Sequence, residues 1–246
     1  NYRILLIGSE GLIGSSFKKY LLSKNHNLFC VDIKKNNKEL TDKKFFFLKR
    51  NINSPQALKN VISAACLKLG NISHVIDCSY PQMLIHKTIN SDSYNYKTLK
   101  KNIGENISKN IITCDIVSKY FIKNKISGNV ILMNSIQGIM APKFEHYKGT
   151  NMSSPIEYTA LKFSLSGIVK YFAKVYGKYS INFNCISPGG IKNKQPKIFL
   201  EKYKKSCLTK GMLDANDLNT TLEFLINEKS RMVNGQNIIV DDGWTL

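Results

Sequence analysis

The pattern at the start of this 246-residue chain restricts its fold more than any other stretch. The apolar run from Arg3 to Ile7 predicts a strand, three glycines follow at every third position, and an amphipathic segment continues to about Leu22. Glycines between a strand and a helix allow a tight turn and let the backbone approach a pyrophosphate at the helix N-terminus. The pattern therefore predicts an α/β domain that binds a dinucleotide, and the alternative is a glycine-rich turn without a ligand. The predicted contact residues are Gly8, Gly11, Leu12, Ile13 and Gly14.

An acidic residue follows the second predicted strand. Asp32 lies eighteen residues beyond Gly14. A carboxylate at this distance would accept a hydrogen bond from the adenosine ribose and repel a 2′-phosphate, so NAD is favoured over NADP. Lys34 and Lys35 come directly after it and would weaken that repulsion. A solvated aspartate at a strand end is the simpler alternative.

A second constellation lies between residues 129 and 191. A buried-strand pattern ends in Ser135, and Tyr158 and Lys162 follow at the head of a long amphipathic segment. Residues four apart lie on one face of a helix, so the ammonium group can approach the phenol. A nearby cation lowers the pKa of a phenol towards neutral pH, where general acid–base catalysis is efficient. Ser135 would then hydrogen-bond the oxygen on which charge develops.

The tyrosine–lysine spacing alone is weak evidence, because the chain contains two more such pairs. An i,i+4 pair on a helix usually covers a solvated face. Only the pair at Tyr158 and Lys162 follows a strand that ends in serine and precedes a strand that ends in Pro-Gly-Gly. The other two pairs are Tyr20/Lys24 and Tyr96/Lys100.

The ordered set of motifs resembles the short-chain dehydrogenase/reductase family. The matching stretches are 128–135, 158–162, 184–190 and 234–244, and the resemblance spans essentially the whole chain. It implies a doubly wound parallel sheet of the Rossmann type, with helices on both faces. It also implies reversible hydride transfer between a nicotinamide and a carbonyl or alcohol carbon. The G-x-x-G-x-x-G spacing departs from the family's most familiar G-x-x-x-G-x-G and is similar to that of its extended members, so the individual phosphate contacts stay open.

The resemblance implies roles for individual residues. Tyr158 would be the acid–base, Lys162 its activator and ribose anchor, and Ser135 the group that polarises the carbonyl. Asn106 occupies the position of an asparagine that holds a water in a proton relay. Asn102 and Asn110, one turn to either side of it, are the alternatives. The remaining implied cofactor contacts are Asn51 near the adenine, Ser79 within the Asp77–Pro81 segment that replaces the family's Asn-Asn-Ala-Gly, and Pro188, Gly189 and Ile191 against the nicotinamide.

Local patterns also predict a helix that starts at Ser54 and Pro55, a fourth strand from Ile72 to Ile76, and a helix from Asp214 to about Asn227. The length of the chain predicts one domain over residues 1–246, large enough to bury roughly 70–75% of its unfolded surface. Two segments outside the predicted sheet are expected to shape the substrate site: an insertion at about 139–154 and a lid at about 191–213. Residues 191–210 carry seven lysines and one acid. This favours an anionic substrate, although the lysine-rich composition of the whole chain explains the lysines equally well. His146 in the insertion would touch substrate or, as is more common for a loop histidine, lie on the surface.

The net charge of +19 invites a nucleic-acid hypothesis, but the lysines are dispersed and no binding motif accompanies them, so no nucleic-acid partner is predicted. The apolar runs are far shorter than the ~20 residues of a membrane span, and no signal peptide opens the chain, so no membrane association is predicted. Six cysteines without C-x-x-C spacing and four scattered histidines predict no metal site and free thiols in the cytoplasm. Family members usually assemble through two long helices, here near 94–123 and 155–177, so a homodimer or homotetramer is expected.

Three further stretches, 136–145, 154–158 and 210–214, resemble a subgroup of the family: the oxidoreductases of bacterial flagellin-modification and nonulosonic-acid clusters. This resemblance implies a small-molecule substrate, an amino or deoxy sugar used in surface glycosylation. Reduction of a non-sugar carbonyl, such as an acyl or polyol compound, is compatible with the same catalytic set. So is a protein that senses a dinucleotide and catalyses nothing. Besides an enzyme and a dinucleotide sensor, the third class of function that the sequence leaves open is a basic protein that binds surfaces.

Overall fold

The computed structural model describes residues 1–34, 43–79 and 94–246. Within them, the predicted apolar runs form seven strands of a single sheet. The strands are β1 (Arg3–Ile7), β2 (Asn27–Asp32), β3 (Phe45–Lys49), β4 (His74–Asp77), β5 (Asn129–Met133), β6 (Asn182–Pro188) and β7 (Asn237–Val240).

The sheet has the strand order β3-β2-β1-β4-β5-β6-β7, and every neighbouring pair is parallel. The predicted doubly wound architecture is confirmed. The strand order reverses between β1 and β4, and ligands of such sheets bind at this switch point, outside the carboxyl ends of the strands. Ile7 pairs with Asp77, so the loops that follow β1 and β4 emerge side by side.

Helices cover both faces of the sheet. In chain order they are α1 (Leu12–Ser23), α2 (Pro55–Leu69), α3 (Tyr96–Lys123), α4 (Ile156–Tyr176), α5 (Lys197–Lys204) and α6 (Asn219–Ile226). Alternate residues of the central strands face opposite layers: Leu5 packs with α2, α3 and α4, whereas Leu6 packs with α1 and α6. Because both faces are buried, these strands are apolar almost throughout instead of alternating with polar residues.

Element boundaries follow local hydrogen bonds. The side chain of Ser54 caps α2 and Pro55 occupies its first turn, as predicted. Strand β4 begins at His74, although the sequence predicts a start at Ile72. The cause is that the Ile72 amide donates to the Tyr120 hydroxyl at 2.9 Å, which removes it from the ladder.

The segment predicted as one helix from Asp214 to about Asn227 is divided in two. A 3-10 turn, Ala215–Leu218, precedes α6. The Asp214 amide donates to the Asp217 carboxylate at 2.8 Å, and the two residues form a capping box that tightens the first turn.

Two kinds of feature are absent from the described residues. None of their helices combines the length and the apolarity that crossing a bilayer requires. The same residues hold no group of three or more histidine, cysteine, aspartate or glutamate side chains placed to bind a metal ion. The six cysteines are free thiols.

Candidate active site

A cleft of about 1450 Å³ runs along the carboxyl edge of the sheet, at the switch point between β1 and β4. The structure brings most of the sequence-predicted site residues to this one cleft, and Gly14 lies beneath the glycine loop. The predicted residues that line the cleft are Gly8, Gly11, Leu12, Ile13, Asp32, Asn51, Ser79, Asn106, Ser135, Tyr158, Lys162, Pro188, Gly189 and Ile191.

The glycine loop is packed so closely that side chains are excluded from it. Gly8 has a φ of +78°, and a Cβ there would lie 2.6 Å from the Ser79 amide nitrogen. A Cβ at Gly14 would lie 2.0 Å from the Gly8 carbonyl oxygen. Backbone and the N-terminus of α1 therefore face this part of the cleft, which fits the pyrophosphate of a dinucleotide. Tyr80 and Pro81, the end of the segment predicted to follow β4, lie outside the described residues.

Asp32 is fixed at the cleft by two backbone amides. Its Oδ2 accepts a hydrogen bond from the Glu10 N–H at 2.8 Å, and its Oδ1 accepts one from the Lys34 N–H at 2.9 Å. Lys34 and Arg50 line the same cleft, while Lys35 lies outside the described residues. This end of the cleft therefore contains a carboxylate, which repels a phosphate group, and also two cations, which attract one.

The Lys162 side chain is buried beneath Tyr158. Its Nζ donates to the Met133 carbonyl oxygen at 2.7 Å and lies 5.5 Å from the centroid of the Tyr158 ring. Burial lowers the pKa of Lys162 to about 8, and the charge of Asp77 opposes this shift. The ammonium form therefore still predominates at neutral pH, next to the phenol that it would activate.

Ser135 follows β5 directly and is held by the first turn of α4. Its Oγ accepts a hydrogen bond from the Gln137 N–H at 3.2 Å. The Gln137 side-chain oxygen accepts from the hydroxyls of Ser154, at 2.6 Å, and Thr159, at 3.1 Å. Since Thr159 adjoins Tyr158, the serine loop and the tyrosine are fixed relative to each other.

The three candidate asparagines of α3 have different surroundings. Asn102 is buried, with its amide 3.4 Å from the Glu157 carboxylate. Asn106 and Asn110 each donate to the carbonyl four residues earlier, at 2.7 and 2.9 Å. Of these three, Asn106 borders both the cleft and a small cavity beneath Lys162. This position agrees with the relay role that the sequence assigns to it.

The far end of the cleft is aromatic, which the sequence did not reveal. Residues of the insertion, the lid and the C-terminal segment form a separate apolar cluster there. Because these residues are distant in the chain, no local pattern identifies them. Those that line the cleft include Tyr147, Met152, Phe199, Tyr203, Met212 and Trp244.

Charged and polar groups at the aromatic end differ from the sequence expectation. His146 lies within the aromatic cluster at 3% exposure, so the expected surface position is wrong, and burial lowers its pKa. Lys143 borders the cleft and lies 4.5 Å above the Trp244 ring. The lysines of 191–210 do not border the cleft, and Lys210, for example, pairs with Asp214 at 2.7 Å.

The other two tyrosine–lysine pairs lie away from the cleft. The Tyr20 hydroxyl donates a hydrogen bond to the Glu223 carboxylate, and this bond to the neutral phenol raises the pKa of Tyr20 to about 12. Tyr96 is 77% exposed at the start of α3. Neither tyrosine borders the cleft.

Comparison with known proteins identifies the family of this chain. The family described as enoyl-(acyl carrier protein) reductase matches residues 13–245. The chain therefore belongs to the short-chain dehydrogenase/reductase family, a family of oxidoreductases. A Campylobacter coli protein, post-translational flagellin modification protein A, is 33% identical over 254 residues that cover 100% of this chain and 99% of that protein. The 7alpha-hydroxysteroid dehydrogenase of Bacteroides fragilis is 30% identical over 48% of this chain and 44% of its own length.

Solved structures share the fold. A short-chain dehydrogenase from Leptospira borgpetersenii with bound NAD+ has a TM-score of 0.88 at 22% identity, over 99% of this chain and 92% of that one. A 4-hydroxyisoleucine dehydrogenase in complex with NADH has a TM-score of 0.78 at 25% identity, over 100% and 99% of the two chains. ElxO with bound NADP has a TM-score of 0.80 at 16% identity, over 100% and 99%. These neighbours bind nicotinamide dinucleotides of both kinds.

Proposed function

We propose that this protein catalyses NAD-dependent hydride transfer to or from a carbonyl or alcohol carbon of a sugar derivative. The observation that carries the proposal is the convergence of the glycine loop, Asp32, Ser135, Tyr158 and Lys162 on one cleft. A bound nicotinamide supplies or accepts the hydride. The residues of the chain orient the cofactor and the substrate, and they exchange a proton with the substrate oxygen.

Tyr158 is the proposed acid–base. The ammonium group of Lys162, fixed by the Met133 carbonyl and lying close to the ring, would favour the phenolate form that takes part in proton transfer. Lys162 would also donate to the nicotinamide ribose, since an ammonium group has three hydrogens. The tyrosine can then give its proton to the substrate oxygen during reduction and take one during oxidation.

Ser135 is the proposed donor to the substrate oxygen. Its hydroxyl oxygen accepts the Gln137 N–H, and a hydroxyl that accepts one bond can still donate its own hydrogen. Pro188, Gly189 and Ile191 border the adjoining part of the cleft and would contact the nicotinamide. Asn106 would hold the relay water beneath Lys162.

NAD is the proposed cofactor because of Asp32. Its two oxygens accept hydrogen bonds from backbone N–H groups, which fix the position of the carboxylate in the cleft. That charge would repel a 2′-phosphate, whereas the ribose hydroxyl of NAD can donate to it. Lys34 and Arg50 would attract the 2′-phosphate of NADP, so the preference for NAD over NADP is expected to be moderate.

A sugar substrate is proposed on two grounds. The full-length relative is named for flagellin modification, and the cleft ends in aromatic rings near Lys143, Asn193 and Gln195, which combine apolar surface with polar donors. A non-sugar carbonyl is the second candidate. The apolar wall formed by Met152, Phe199 and neighbouring residues favours it.

The first test is thermal unfolding with NAD, NADH, NADP and NADPH. We expect NAD(H) at about 100 times its Kd to stabilise the protein by roughly 3 kcal/mol, which raises Tm by several degrees at this size. Tyr158→Phe should show the same rise in Tm, because it leaves the glycine loop and Asp32 unchanged. Asp32→Ala should lose the preference for NAD(H), and Asp115→Asn is the matched surface control. If no dinucleotide stabilises any of these proteins, the proposed function is wrong.

The second test identifies the substrate class. We expect absorbance changes of NADH with amino, deoxy or phosphorylated sugars and none with acyl or steroid carbonyls. The reverse pattern would establish the second candidate. Turnover of neither class by a protein that binds NAD(H) would favour a dinucleotide sensor.

A further inference from the structure

A small cavity lies directly beneath the cleft, between β4, β5, α3 and α4. It measures about 20 Å³, and we call it the lysine chamber. A polar cavity of this size has room for one water, which needs two to four hydrogen-bonding partners. The polar residues that line it are Asp77, Ser79, Asn106, Lys109, Asn110 and Lys162.

Asp77 contributes an unusual carboxylate to the lysine chamber. It is 4% exposed, and its Oδ1 accepts hydrogen bonds from the Ser79 amide at 2.8 Å and the Ser79 hydroxyl at 2.5 Å. Its Oδ2 is fully buried and accepts no hydrogen bond from any described residue. Leaving such an oxygen without a donor is energetically costly, so buried carboxylates normally bond a donor or an ordered water. The chamber is the space in which Asp77 can meet that partner.

Lys162 faces the same chamber. One of its three hydrogens bonds the Met133 carbonyl oxygen, so others remain to donate to a water. The groups that act electrostatically on Lys162 are Cys185 on β6, Asp77 and Cys78 at the end of β4, and Lys109 on α3. Together with burial, which has the largest effect, these groups influence how easily Lys162 holds its proton.

Only one of those groups is an anion at neutral pH. Burial raises the pKa of Cys78 and raises that of Cys185 to about 12, so both are neutral thiols. Lys109 is a cation, with its Nζ 3.8 Å from Asp77 Oδ2 and hydrogen-bonded to the Ser79 hydroxyl. Among the described residues that act on Lys162, Asp77 alone supplies negative charge.

We propose that Asp77 is a positioning residue that keeps Lys162 protonated through a water in the lysine chamber, and that Lys109 limits this effect. The family resemblance covers only Asn106 and Lys162 of this arrangement, because the Asp77–Ser79 segment departs from the family's sequence. The proposal deepens the proposed function, since it concerns the lysine that would activate Tyr158. Ser79 borders both the cleft and the chamber, so it connects the cofactor end to this charge pair.

The proposal can be tested without substrate or cofactor. We would titrate the protein with ¹³Cε-labelled lysine by NMR and identify the Lys162 signal by its loss in Lys162→Met. Asp77→Asn should lower the pKa of Lys162 by about one pH unit, because it removes the opposite charge. Lys109→Met should raise it by a similar amount, because it removes the like charge.

The outer part of α3 offers a matched control pair. Lys119 and Asp115 form an ion pair at 2.7 Å, and their side chains are 69% and 37% exposed. Lys119→Met and Asp115→Asn make the same charge changes on the same helix, and solvent should screen them, so the Lys162 signal should not move. Unchanged titration of Lys162 in both Asp77→Asn and Lys109→Met would overturn the proposal.

Two features keep the test decisive. If Asp77→Asn does not fold, Lys109→Met still has to shift the pKa of Lys162 upwards, and the absence of that shift overturns the proposal. If the protein fails to bind NAD(H) yet Lys162 titrates as expected, the proposed function fails while the charge arrangement stands. A structural role for Asp77 alone would change stability without opposite shifts in the two variants.

Discussion

Two tyrosine–lysine pairs in this molecule have the same spacing and nearly the same internal geometry. The lysine Nζ lies 5.4 Å from the ring centroid at Tyr20/Lys24 and 5.5 Å at Tyr158/Lys162. Their surroundings differ. The Tyr20 hydroxyl donates to Glu223 and the Lys24 side chain is 47% exposed, whereas Lys162 is 6% exposed and bonded to backbone.

The difference shows that spacing positions a pair and that its environment decides what the pair can do. A carboxylate acceptor next to the phenol of Tyr20 raises its pKa to about 12, which makes the phenol a poor acid or base at neutral pH. At Tyr158 a buried cation, the Lys162 ammonium group, lies 5.5 Å from the ring centroid, and a cation at this position would favour the phenolate. One pair is therefore suited to structure and the other to proton transfer.

The largest contrast should be in turnover. Tyr158→Phe removes the proposed proton donor, and we expect kcat/KM to fall by about 10²–10⁴-fold. Tyr20→Phe should stay within about twofold of the unaltered enzyme, because Tyr20 lies outside the cleft. Steady-state rates with the best sugar substrate of the screen measure both. If kcat/KM fell by the same factor in both variants, the two pairs would not differ in function.

The serine next to the active pair should show a smaller effect. Ser135→Ala removes the proposed donor to the substrate oxygen, and we expect kcat to fall by about 10²–10³-fold. Ser23→Ala is the control, since the Ser23 hydroxyl donates to the Tyr20 carbonyl oxygen near the other pair. A Ser135→Ala enzyme with unchanged kcat would remove Ser135 from the mechanism.

The two lysines should differ in how stability depends on pH. Burial lowers the pKa of Lys162 in the folded protein to about 8, below that of an unfolded lysine. Between about pH 8 and pH 10 an unfolded lysine therefore keeps the proton that Lys162 loses in the folded protein, so Lys162 should contribute a rise of about 3 kcal/mol to the free energy of unfolding. The buried thiols, whose pKa values are raised, contribute in the opposite direction, so the rise is measured as the difference between the unaltered protein and Lys162→Met. Below pH 8 this contribution is constant.

Denaturant unfolding between pH 7 and pH 10 measures that slope. Lys162→Met should lose the rise, and Lys24→Met should keep it. The same rise in both variants would show that Lys162 is not the group responsible.

The smallest effect concerns the inactive pair. Glu223→Gln removes the charged acceptor, so the pKa of Tyr20 should fall from about 12 towards ~10, the value of a free tyrosine. NMR titration of labelled tyrosine follows this change, and activity should remain unaltered. A Tyr20 pKa that stays near 12 would mean that Glu223 does not set it.

The sequence predicted what depends on local pattern. Apolar runs identified the strands, Ser54 and Pro55 identified the start of α2, and the order of motifs distinguished the pair that lines the cleft from the other two. It did not reveal Trp244 at the aromatic end or the buried position of His146, because residues far apart in the chain create both. The lysine chamber also arises from packing between β4, α3 and α4, which no single motif encodes.

Gly8 and Gly14, the two crowded glycines of the cleft, also limit which sequences can adopt this fold. At positions 8 and 14 any added carbon meets neighbouring backbone, which cannot move aside as a flexible side chain can. Gly104 and Gly167 lie in helices where a Cβ would meet nothing within 4 Å. In a randomised gene library under selection for folding, we therefore expect only glycine at positions 8 and 14. At positions 104 and 167 we expect many different residues.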